Sequence, residues 1–130
     1  MNKIKVYPKH ELPLRSNVPG AKMWAVGLEK AMLTYFEMEP NTKFPEHSHE
    51  AEQITMVLDG ELTFAYEEKE ITLKSGDVIS IPSNAVHSAF TGSKPCKGSG
   101  CMVSRKGGLQ RALIIILSCS LPPFLHAHDD

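Results

Sequence analysis

From the N-terminus to about Thr91, no long stretch repeats apolar residues at the three-to-four-residue spacing of a helix. Short β-prone runs alternate with turn residues instead. A chain written this way buries its apolar faces by strand pairing, so the expected class is all-β. The runs are residues 3–7, 23–28, 31–38, 53–58, 61–66, 70–74, 78–81 and 86–90. Eight short strands of this kind suit a barrel or a sandwich. Asp59-Gly60 carries the turn chemistry of a tight hairpin between Leu58 and Glu61, and Ser75-Gly76 that of a second turn. Leu62, Phe64 and Tyr66 alternate with Glu61 and Thr63, and Ile71 and Leu73 alternate with Glu70 and Thr72, so each run has one face to bury.

Length and composition agree with a single globular domain: 130 residues, 42% apolar and 22% charged. Fourteen basic residues against fifteen acidic ones leave a formal charge of -1, which lacks the basic excess of a nucleic-acid binder. Cys96, Cys101 and Cys119 form neither a disulfide framework nor a Cys-x-x-Cys pair, so the expected compartment is reducing cytoplasm. The opening residues up to Pro8 contain no apolar core of a signal peptide, and export is not expected.

After Gly92 the character changes. Gly- and Ser-rich text leads to the basic Arg105-Lys106, and the strand pattern is read as stopping there. Residues 1–97 are assigned to the barrel and 98–130 to an atypical tail that is not a separate domain. The apolar stretch of residues 112–125 is too short for the roughly 20 residues of a membrane helix, and Pro122-Pro123 interrupts it. No membrane anchor is expected. Within it residues 113–117 read as one more buried strand, and residues 125–130 as a frayed polar end.

The densest chemistry lies in residues 44–53, where His47 and His49 are followed by Gln53. If the stretch is extended, these three project from one face, while Glu46, Glu50 and Glu52 face outward. A slip of one residue would bring Glu52 inward; parity with His49 favours Gln53. His87 follows a Pro82-Ser83-Asn84 turn and could close the site from across a barrel. Imidazoles with an oxygen donor form open, catalytic-type metal centres. An isolated His-x-His is as readily a solvated surface pair. His10, His126 and His128 stand outside this set and are read as solvated, and Trp24, Met32, Leu33, Thr34, Tyr35 and Phe36 as packing residues.

The run His47-x-His49-x3-Gln53-x6-Gly60, followed by Gly76-x5-Pro82-x4-His87, resembles the two signature motifs of the cupin superfamily. Two positions depart from the pattern: Gln53 replaces the usual acidic ligand, and Asn84 the usual glycine of the turn, where asparagine tolerates left-handed backbone. The resemblance implies a jelly-roll-like β-barrel holding one divalent transition-metal ion (Ni, Mn, Fe or Zn) on His47, His49, Gln53 and His87. Four neutral ligands leave the ion's charge uncompensated, which favours anionic ligands.

Within the cupins, His47-Ser48-His49-x-x-Glu52-Gln53-x-Thr55-x-Val57-x-x-Gly60-Glu61 is most similar to the pectin degradation proteins. These small cupins open the ring of 4,5-unsaturated uronates to a linear keto sugar. The resemblance therefore implies an enzyme for an anionic sugar acid, and a homodimer, since small cupins commonly pair edge strands. A non-catalytic cupin that binds a metal or small molecule, and a cupin dioxygenase, are the alternatives. The family's last strand follows a pattern like Val-Asp-Val-Phe-x-Pro-x-Arg-Glu, with an Asp and an Arg serving the chemistry. A one-base shift across codons open to residues 98–108 yields Ala-Val-Asp-Val-Trp-Ser-Pro-Val-Arg-Glu, so the tail reads as an out-of-frame product that keeps the metal ligands and loses the proton-transfer residues, with a genuine divergent tail as the alternative.

Overall fold

The computed structural model describes residues 3–104 and 125–126. After a 3-10 turn at Lys9–Glu11, the described chain forms ten strands: β1 (Arg15–Val18), β2 (Ala21–Gly27), β3 (Ala31–Met38), β4 (Lys43–His47), β5 (Glu52–Tyr66), β6 (Lys69–Lys74), β7 (Val78–Ile81), β8 (His87–Phe90), β9 (Cys96–Val103) and β10 (Leu125–His126). Their order is β1-β2-β3-β9-β5-β8-β4, with β10 on β2 and with β6 and β7 on β5. The pairings are antiparallel except β10 with β2. The all-β barrel expected from the sequence is what the chain forms.

β5 organises the molecule. Its first half pairs with β7 through Gln53–Met56 and with β9 on its other side. Its second half pairs with β6, and through Thr63–Ala65 with β8. One strand thus belongs to both walls of the barrel. The hairpin expected at Asp59-Gly60 is not formed: the strand runs straight through it, with a register shift against β9 between Val57 and Asp59. Gly60 has φ +82°, and a Cβ there would stand 1.9 Å from the Pro95 carbonyl oxygen. The glycine therefore serves a bulge that redirects a strand, a role whose local chemistry matches that of a turn. The actual β5–β6 hairpin turns at Glu67 and Glu68, both at positive φ. Ser75-Gly76 is a turn as expected, Gly76 at φ +91°, closed by the Lys74 N–H donating to Asp77 Oδ2 at 2.8 Å.

The largest departure is β9. The strand pattern does not stop after Gly92; Cys96–Val103 pairs along its length with β3 on one side and β5 on the other. Gly98, Ser99 and Gly100 have little strand preference of their own, and two flanking ladders supply what propensity does not. Conversely, residues 3–7 form no strand, and Ile4 is 98% exposed. Ile71, expected inward, is exposed, because only Leu73 of that pair meets the core. The strand expected at residues 113–117 lies outside the described residues. Of the end expected to fray, Leu125 and His126 pair with Val26 and Gly27.

The core is built around Val57, Leu62, Phe64 and Met38, with a second group of Met23, Met32 and Met102; Phe36 touches both. No helix among the described residues is long and apolar enough to cross a membrane.

Candidate metal centre

Three elements bring the imidazoles together. His47 ends β4 and lies opposite His87, the first residue of β8, across a bulged ladder. His49 sits beyond the end of β4, so the extended stretch imagined from the sequence breaks after His47. It is held inward by the Asn84 N–H, which donates to the His49 carbonyl at 2.7 Å. Asn84 takes the left-handed φ of +65° that its place in the turn required. Ring centroids are 4.3 Å apart for His47 and His87, 5.3 Å for His49 and His87, and 5.6 Å for His47 and His49. One ring nitrogen of each lies within 4.8 Å of the others.

Their protonation follows from their partners. Nδ1 of His47 bonds the Pro45 carbonyl, Nδ1 of His49 the Ala51 carbonyl and Nδ1 of His87 the Ala85 carbonyl, each at 2.8 Å. A carbonyl only accepts, so each Nδ1 carries the proton and, in the neutral ring, each Nε2 presents a lone pair. Burial lowers the pKa of His47, against the bond to Pro45, and His49 lowers it further. Burial likewise pushes His87 down to about 4, with smaller contributions from His47 and His49. His47 and His87 are thus kept in their ligating form at neutral pH.

Gln53, half-buried in β5, places Oε1 3.0 Å from His49 Nε2. Both atoms carry lone pairs and face each other, an arrangement that a shared cation relieves. His87 Nε2 is buried with no hydrogen-bond partner. An orphaned imidazole nitrogen, two further imidazole nitrogens and a converging amide oxygen are a donor set that fits a divalent transition metal.

The Cupin domain family model matches residues 34–98, half of the chain and the span that carries His47, His49, Gln53 and His87. The chain is a cupin. No curated protein sequence matches it. Among solved structures this cupin is similar to KdgF from Halomonas sp., with 20% identity and a TM-score of 0.72 over 79% of this chain and 96% of that one. It is also similar to an RmlC-like cupin from Shewanella frigidimarina NCIMB 400, with 17% identity and a TM-score of 0.66 over 75% of this chain and 89% of that one. A third similar structure is the DMSP lyase DddQ from Ruegeria pomeroyi DSS-3, at 20% identity and a TM-score of 0.65, covering 74% of this cupin and 58% of the lyase. At these identities the likeness is one of fold.

His47 and His87 border a cavity of about 670 Å³, counted with its open mouth. Its deeper walls are apolar, from Met23, Met38, Leu62, Phe64 and Met102. Polar groups enter from Asn17, Thr34, Gln53 and Thr55, and the only titratable side chains among its described lining are His47 and His87. Sequence reasoning missed Asn17, because β1 itself went unrecognised. It set Thr34 and Phe36 aside as packing, although both line the cavity. Trp24 and Tyr35 do pack, on each other, with centroids 5.8 Å apart. Thr55 had a readable signal: it shares the parity of Gln53, two residues on.

Proposed function

We propose that this cupin holds one divalent transition-metal ion (Ni, Mn, Fe or Zn) on His47, His49, Gln53 and His87, and acts on a small anionic sugar acid, opening the ring of a 4,5-unsaturated uronate. The convergence of three Nε2 lone pairs, each fixed by an Nδ1–H bond to a carbonyl, carries this proposal. A bound ion supplies positive charge to orient a carboxylate and a hydroxyl. His47, His49, His87 and Gln53 are all neutral and leave that charge available to the anion. The Asn17 amide enters the cavity that would hold the sugar, and the methionine and phenylalanine walls exclude water from it.

A second reading, a non-catalytic cupin that binds the metal and a small molecule, is favoured by one observation. Gly100 of β9 faces Thr34 and Thr55 at the cavity and carries no side chain, where the resembled family's strand pattern has an Asp. Incubating the metal-loaded protein with an unsaturated uronate and following the enol-ether absorbance separates the two. Loss of absorbance supports ring opening; saturable binding without loss supports the binder, and oxygen uptake would indicate a dioxygenase.

A homodimer is proposed for the assembled state. Leu33, Ile54, Met56, Val78 and Val103 lie on one outer sheet face, between 41% and 55% exposed, a surface a second copy would cover. Light scattering on the eluting protein reads its mass. Cytoplasm is the proposed location, with Cys96 and Cys101 both free thiols.

A further inference from the structure

We propose that Thr55 is the positioning residue that turns the amide oxygen of Gln53 toward the metal, an inference that rests on the metal site proposed above. An amide has two unlike ends, and only the oxygen has a lone pair for a cation. A carboxylate at the same place would need no such choice. With Gln53 there, the NH2 group must be received by something whenever the oxygen faces the imidazoles, because a buried donor left unpaired disfavours that orientation.

Thr55 is that acceptor. Gln53 Nε2 donates to Thr55 Oγ1 at 2.8 Å, and the same amide has its Oε1 3.0 Å from His49 Nε2. Without the hydroxyl, the amide is better satisfied turned around, its NH2 donating to His49 Nε2. That bond would remove two donors, the imidazole nitrogen and the amide oxygen, from the set at once.

The backbone holds Thr55 for this task. It is 2% exposed, lies two residues from Gln53 on the same face of β5, and is fixed between Ile79 of β7 and Gly100 of β9. Its branched Cβ restricts χ1. Gly100 leaves the hydroxyl its space: a Cβ there would stand 3.0 Å from both Thr55 Oγ1 and Thr34 Oγ1. The Thr34 hydroxyl is committed elsewhere, donating to the Gly100 carbonyl at 3.2 Å.

Cobalt(II) titration, followed by its visible absorption, tests this on the full chain with four variants: Thr55→Val, Thr55→Ser, Gln53→Ala, and Gln53→Ala combined with Thr55→Val. Thr55→Val keeps the shape, deletes the acceptor, and is expected to weaken cobalt binding by about tenfold or more. Thr55→Ser should restore it to within about threefold. In the Gln53→Ala background Thr55→Val should have no further effect, since there is no amide to orient. Parental affinity in Thr55→Val, or an equal loss with and without Gln53, overturns the proposal. Should Thr55→Val not fold, Thr55→Ser against Thr55→Ala makes the same comparison. A parent chain that binds no cobalt overturns the metal site itself, and with it this inference. Gln53→Ala binding as tightly as the parent removes Gln53 alone from the ligand set, and with it the role of Thr55.

Discussion

Each imidazole of the cluster donates its Nδ1–H to a carbonyl two residues away, His47 and His87 backward and His49 forward. The tautomer is therefore written into the local backbone, and each ring keeps one nitrogen for a metal. His49→Ala removes one of three converging nitrogens and is expected to abolish tight binding of one divalent ion per chain. His128→Ala, outside the sequence motifs, is expected to leave it intact. Elemental analysis of the purified variants reads the difference, and equal metal content in both would sink the site. A pH dependence follows at the same scale. His87 titrates near 4 in the fold, against an ordinary 6.5 when unfolded. Between those values the unfolded chain binds the proton first, so acid favours unfolding. The metal-free protein should thus lose stability as pH falls from 6.5 toward 4. Urea unfolding in chelator across that window should show a shallower loss for His87→Gln than for the parent.

At the scale of elements, β5 and β9 decide the shape of the barrel. Gly60 combines a left-handed φ with a backbone approach that no Cβ survives. Gly60→Ala is expected to cost about 2–5 kcal/mol, summing left-handed strain and overpacking. Denaturant unfolding measures it, and a cost under about 1 kcal/mol would mean the bulge is not needed. β9 also bears on the proposed ring opening. The sequence reading had the strand pattern stop after Gly92, whereas Cys96–Val103 fills the place between β3 and β5. Its cavity-facing positions include Gly98 and Gly100. A Cβ at Gly98 would lie 2.3 Å from the Phe36 ring, so the one-base-shifted strand, which puts Ala there, needs that ring to move. Gly100→Asp places a carboxylate at the cavity wall with a smaller demand: its Cβ would stand 3.0 Å from the Thr34 and Thr55 hydroxyls, which must give by a few tenths of an ångström. It is expected to raise ring opening by about 10²–10⁴-fold, the usual range for a positioned proton-transfer group. The enol-ether assay on metal-loaded protein tests it, and unchanged turnover would mean that a carboxylate at this position has no part in the reaction.

For the whole molecule, the site lies where both walls of the barrel meet: β4 and β8 supply His47 and His87, β5 supplies Gln53, and the segment between β4 and β5 supplies His49. A metal held there ties these elements together in the folded state only. At a free concentration about a hundredfold above its Kd, it should add about 2.7 kcal/mol of stability. Thermal unfolding should show a melting temperature that climbs with metal and falls back with chelator, while His49→Ala responds to neither.

Local chemistry was legible without a structure. β3 and β7 have the bounds that alternation and turn residues indicated, and Ser75-Gly76 and Asn84 adopt the conformations their side chains allow. The spacing of His47, His49 and His87 singled out the residues that meet, although the extended stretch assumed for His49 is broken. What neighbouring residues could not encode was decided by pairing across the barrel. Gly60 looks like a turn in any window of sequence, and only the Pro95 carbonyl beside it makes it a bulge. Gly98-Ser99-Gly100 has no preference for a strand until β3 and β5 present unpaired edges on both sides. Parity puts Thr55 on the face of Gln53, but only the fold sets its hydroxyl against the Gln53 amide. Side-chain periodicity and turn preference act over a few residues and can be read from them, whereas register, close backbone approach and the partner of a buried polar group depend on segments far apart in the chain.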